Sequence, residues 1–129
     1  MATPQNLPPA FWTRLAEAEI QNTLRDLPAP LRERLRDLPI LLQDLPGTAL
    51  PADGEPDDLL GLFEGPCYGE SSQPFDTLAP TITLFLKNLR AETGDDPTRF
   101  RQEVRTTLLH EIGHYLGLDE DDLLTRDLQ

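Results

Sequence analysis

His110-Glu111-Ile112-Gly113-His114-Tyr115-Leu116-Gly117-Leu118-Asp119-Glu120 holds both histidines of the 129-residue chain and sets a glutamate directly after the first. On a helix turning about 100° per residue, His110 and His114 lie roughly 40° apart on one face. Two imidazole nitrogens so placed can reach a single metal ion at the ~2.0–2.1 Å typical of zinc. Glu111 falls beside the pair. It sits too far round to be a natural third ligand, but it can contact a water on the metal, which is the position of a general base.

The surrounding residues support a helix of about 20 residues, with the motif in its last two turns. Asp96 and Pro97 supply an N-cap and a proline at the first helical position, and Gly117 supplies a left-handed stop. With His110 at 0°, Phe100, Val104, Leu108, Leu109, Ile112 and Leu116 span roughly 80° to 260°, a continuous apolar stripe. Glu103, Thr107, His110 and His114 fall on the other side, so the histidines are predicted to look away from the core. Tyr115 projects into the stripe at roughly 140° and is expected in the core.

After Gly117 the chain can fold back toward the metal. Glu120 stands ten residues beyond His110, on what reads as the first turn of a short final helix, and is the best third ligand. Asp119 reads as the N-cap of that helix, with Asp122 three residues on, and is better used on backbone N–H groups. The order H-E-x-x-H-x-x-G-x-x-E resembles the extended metzincin motif, with a carboxylate in place of the third histidine. It departs in lacking a methionine turn, since the chain has no methionine after Met1.

The closer resemblance is to the small bacterial zincin-like metallopeptidases, single-domain proteins of about this length. It is carried by Leu60-Gly61-Leu62-Phe63-Glu64-Gly65, by Thr81-Ile82-Thr83-Leu84-Phe85, and by the run from Val104 through His110-Glu111-Ile112-Gly113-His114 to Gly117. That family has an acidic residue at the Glu120 position, more often aspartate, which keeps Asp121 in play beside Glu120. The resemblance implies a minimal zincin-like α+β fold and a zinc-dependent peptidase, with Zn2+ as cofactor and peptides or unfolded proteins as substrates. It also implies an edge strand that aligns an extended peptide beside the active-site helix by strand addition. Thr81 to Leu86, adjacent to that helix in chain order, is the expected edge.

Length and composition agree. At 129 residues the chain reads as one domain, residues 1–129, able to bury roughly two thirds of the surface that its unfolded form exposes. One cysteine, Cys67, excludes an intramolecular disulfide, and neither a signal peptide nor a run of about 18 apolar residues is present, so a cytoplasmic protein without a membrane segment is expected. Eleven basic against 23 acidic residues give a net charge of −12, which argues against nucleic acid and for cationic partners. The acids gather in Asp53 to Asp58 and in Asp119 to Asp122 with Asp127. They read as solvated caps or as a negative rim around a cleft.

Along the chain, Leu7-Pro8-Pro9 opens a first helix running to about Arg25, with Trp12, Leu15, Ala16, Ile20, Leu24 and Leu27 on its buried face. A short helix over Leu31 to Asp37 follows. The pentapeptide Leu-Arg-Asp-Leu-Pro occurs at both 24–28 and 35–39 and reads as two helix ends of similar chemistry rather than as a repeat. Strands are predicted over Ile40 to Asp44, Leu59 to Phe63 and Thr81 to Leu86, with a helical turn over residues 87–92. Together these give a three-stranded sheet packed on the N-terminal helix and the H-E-x-x-H helix.

In this reading His110, His114 and Glu120 hold zinc, and Glu111 takes a proton from the zinc-activated water and passes it to the leaving amine. Tyr68 and Tyr115 are the candidates for stabilising the oxyanion. Cys67 is the candidate for a removable fourth ligand, although a lone loop cysteine is ordinarily inert. The alternative is a metal-binding interaction or regulatory module with a zincin fold and little turnover, because a one-sided cleft offers few groups to position a substrate.

Overall fold

Proline stands at the first or second position of three of the helices, as suits a first turn that needs no backbone N–H. The computed structural model describes residues 7–46, 58–69 and 79–118. In chain order the elements are α1 (Pro9–Asp26), α2 (Ala29–Arg34), β1 (Ile40–Gln43), β2 (Gly61–Glu64), β3 (Thr81–Phe85), α3 (Leu86–Glu92) and α4 (Pro97–Tyr115). The architecture is α+β, and one hydrophobic cluster runs from Trp12 through Leu84 to Ile112. The two Leu-Arg-Asp-Leu-Pro segments do end helical stretches in the same way. Leu27 donates to the Leu24 carbonyl, and Leu38 donates to that of Leu35, at 3.3 and 3.0 Å.

Helices α1 and α4 pack against each other. Trp12 sits edge-on between Phe11 and Phe100, with ring centroids 5.3 and 4.9 Å away, and Val104 and Leu108 of α4 are buried in the same cluster. One departure from the apolar pattern is Glu19, which is buried in the α1–α4 seam. It is met by Arg105 at 3.3 Å and by Arg101 at 3.8 Å, and Arg105 also reaches Asp26 at 3.1 Å. The burial of Glu19 is tolerable because two guanidinium groups face it.

The strands lie in the order β1-β3-β2. β1 runs parallel to β3 with Ile40 opposite Ile82, and β2 runs antiparallel to β3 with Gly61 opposite Leu84. The expectation that Thr81 to Leu86 is the exposed edge is therefore overturned. β3 is hydrogen-bonded on both sides, four of its five residues are buried, and Leu86 already belongs to α3. Chain proximity to α4 misled because strand position is set by pairing, and the centre strand is the one that both neighbours can reach. Among the described residues the edge nearest α4 is β2.

Gly61 lets β2 come so close. A Cβ at this position would stand 2.7 Å from Thr107 Cγ2 and 3.1 Å from Leu84 Cδ2. Thr107, expected on the solvent side of α4, is buried beneath this strand. A glycine inside a strand is the sequence signal for such an approach.

Candidate metal centre

Helix α4 begins as its sequence predicts. The Asp96 carboxylate accepts hydrogen bonds from the backbone N–H groups of Thr98 and Arg99 at 2.9 and 3.2 Å, with Pro97 in the first turn. Its other end closes with the two bonds of a Schellman motif. Leu118 N–H donates to Gly113 O at 2.8 Å and Gly117 N–H to His114 O at 3.1 Å, with Gly117 at φ 74°. A second segment clamps the same turn. Tyr68 N–H donates to Tyr115 O at 2.6 Å, and the Cys67 thiol donates to His114 O at 3.3 Å. The turn that carries His114 is thus held both by its own cap and by the 65–69 segment.

On this rigid end the predicted residues converge. The His110 and His114 rings lie 4.5 Å apart at 62°, and the donor atoms of His110, Glu111 and His114 all lie within 4.8 Å of one another. His110 is partly buried and the His114 side chain is half exposed, so both leave the apolar stripe as expected, whereas Phe100, Val104, Leu108, Leu109 and Ile112 line the core. Glu111 is only 8% exposed, which is not the setting of an ordinary surface acid. Its Oε1 stands 3.5 Å from His114 Nδ1. Two imidazoles and a carboxylate gathered within this span suit a borderline-soft divalent cation such as zinc.

The site opens onto a cleft of about 290 Å³ between α4 and the start of β2. Residues 59–61 form one wall; Glu103, Thr107, His110 and Glu111 stand on the helix side. A family model for zincin-like metallopeptidases matches residues 35–129, most of the chain.

The chain belongs to the zincin-like metallopeptidase family.

No curated protein matches the chain. Membership makes a peptidase with a metal, usually zinc, and with peptide substrates the general description of this zincin-like protein. No helix among the described residues is long and apolar enough to cross a membrane. Asp119, Glu120 and Asp121, and with them the expected final helix, lie outside the described residues.

Of the two tyrosines, Tyr115 takes the expected core position, 8% exposed, edge-on to Phe63 and Tyr68. Burial, and then the neighbouring Tyr68 and Asp37, push its phenol above the usual tyrosine range. The Tyr68 ring is engaged by Tyr115 and by the Arg34 guanidinium, 5.6 Å from its centroid. Cys67 contributes through the His114 carbonyl. The sequence reading singled out Cys67 and Tyr68 for chemistry but missed this clamp, because the contact spans 47 residues of chain and no local pattern encodes it.

Proposed function

We propose that this zincin-like protein is a zinc-dependent peptidase in which His110 and His114 hold the metal, Glu120 completes the protein ligand set, and Glu111 is the general base. We read residues 1–129 as one such domain. The observation that carries this reading is the convergence of His110, Glu111 and His114 donor atoms within 4.8 Å at the mouth of a cleft. Zinc, when bound, supplies Lewis acidity, polarising the scissile carbonyl and making water more acidic.

The chain's own residues supply the rest. Glu111, largely withdrawn from solvent, accepts a proton from the attacking water at its carboxylate and returns it to the departing amine nitrogen as the C–N bond breaks. The outer edge of β2 offers an extended peptide main-chain hydrogen bonds alongside α4, which takes over the aligning role first expected of Thr81 to Leu86. Glu111→Gln tests the assignment. Zinc content measured by elemental analysis is expected to match the parent, while peptide hydrolysis falls by ~10²–10⁴-fold. Undiminished hydrolysis, or a parent protein that takes up no divalent ion, overturns the reading.

A further inference from the structure

The cleft extends well past the metal-binding residues, and what lies there is a carboxylate. Glu103 is seven residues before His110, so the two lie within about 20° of one another on α4 and ~10.5 Å apart along its axis. Between them Thr107, buried, donates its hydroxyl to Glu103 Oε2 at 3.2 Å and fixes the carboxylate in the cleft wall. Two carboxylates shielded from solvent elsewhere in the scaffold have cations: Glu19 meets Arg105 and Arg101, and Asp95 meets Arg90 at 2.9 Å. Among the described residues Glu103 makes no ion pair, and neither lysine nor arginine lines the cleft. Across from it Leu59 and Leu60 form an apolar wall, and Asn88 Nδ2 holds the Leu59 carbonyl at 2.8 Å.

A partly shielded, oriented carboxylate at the far end of a short apolar channel suits a group with a long aliphatic stem and a positive tip. We propose that this cleft is a specificity subsite for a lysine or arginine side chain of the peptide substrate, with Glu103 as its counter-charge. The inference rests on the peptidase reading above and names the substrate class of that same site. A backbone amine next to the scissile bond does not span the distance from His110 to Glu103. A long side chain does, set one or two residues along an extended strand that advances ~3.4 Å per residue. The net charge of −12 draws such peptides to the protein.

The test uses fluorophore-labelled tetrapeptides, blocked at both ends, that differ only in arginine, lysine, norleucine or glutamate at one scanned position. Cleavage is followed with zinc-supplied protein, and binding is followed by anisotropy in a Glu111→Gln background. A hydrogen bond to a charged group corresponds to roughly ten- to a hundredfold in affinity, so arginine and lysine peptides are expected to exceed norleucine by that factor at one position. Glu103→Gln, which keeps an acceptor for Thr107, is expected to erase the ratio, and Glu103→Lys to shift the preference to glutamate. Circular dichroism establishes that each variant is folded. A ratio that survives Glu103→Gln overturns the proposal, as does cleavage by the parent with no basic preference, which would leave the peptidase reading standing. Basic-selective binding lost in Glu103→Gln but without any cleavage by the zinc-supplied parent upholds the subsite and overturns the peptidase reading. Absence of both binding and cleavage overturns both.

Discussion

Glu19 and Glu111 are equally hidden, each 8% exposed, yet they keep different company. Glu19 sits in the α1–α4 seam facing Arg105 and Arg101, so its charge is matched by the scaffold itself. Glu111, three turns further along α4 from Arg101, has His114 Nδ1 at 3.5 Å and the cleft in front of it. A matched buried carboxylate holds helices together. One that faces a cleft without a guanidinium partner is left to meet what binds there, and that makes it available for chemistry. Burial alone therefore does not distinguish a structural acid from a reactive one; the partners do.

Exchanging each carboxylate for an amide separates the two roles most sharply. Glu111→Gln is expected to reduce hydrolysis by ~10²–10⁴-fold, while the metal-free protein stays at least as stable as the parent, because a buried charge without a full counter-ion is removed. Glu19→Gln is expected to do the reverse. It replaces the negative charge shared by the Arg105 and Arg101 guanidinium groups with a neutral amide and lowers the unfolding free energy by about 1–3 kcal/mol, with hydrolysis unchanged while the fold is intact. Urea titration and peptide hydrolysis on both variants decide it. Equal behaviour of the two variants in either assay would remove the distinction.

The metal side of the comparison turns on Glu120. If Glu111 is free to act as a base, the third protein ligand must come from elsewhere, and the Schellman turn at Gly117 sends the chain onward from the end of α4. Glu120→Ala is expected to weaken zinc binding by at least the ~10–100-fold associated with losing an outer-shell partner, and Asp121→Ala to change it little. Competition against a chelator measures both. A larger loss in Asp121→Ala reassigns the ligand by one residue, and no loss in either moves Glu111 from base to ligand, which would collapse its contrast with Glu19.

Much of this site was legible because it is local. Caps at Asp96 and Gly117, a stripe from Phe100 to Ile112 and two histidines four residues apart are all properties of one helix, and each appears where the helical period puts it. Contacts that cross the chain were not legible. The edge assignment failed because pairing partners 17–42 residues apart determine which strand is central. Thr107 was placed toward solvent because the helical wheel knows nothing of β2 lying over it. Glu19 was hidden from pattern reading for the same reason, since its arginines stand 82 and 86 residues away on another helix. Gly61, inside the predicted Leu59 to Phe63 strand, carried a signal of this close approach that the reading of the sequence did not use.

The smallest expected effect lies at that glycine. β2 covers the Thr107 side of α4 and forms the cleft wall opposite Glu111, so the shielding of Glu111 depends on how closely this strand lies, whereas Glu19 in the α1–α4 seam does not. Gly61→Ala puts a methyl 2.7 Å from Thr107 Cγ2. Thr107 is β-branched and held on a helix, so it cannot swing aside cheaply, and the strand must lift. Overpacking of this kind costs about 1–3 kcal/mol, read as a drop in thermal midpoint, and hydrolysis is expected to fall with it as Glu111 becomes wetter. Thr107→Ser removes the offending Cγ2 and keeps the hydroxyl that donates to Glu103. The double variant is therefore expected to recover much of the loss, a coupling that a double-mutant cycle measures directly. Strict additivity of the two substitutions would show that β2 does not rest on Thr107, and that the burial of Glu111 has another cause.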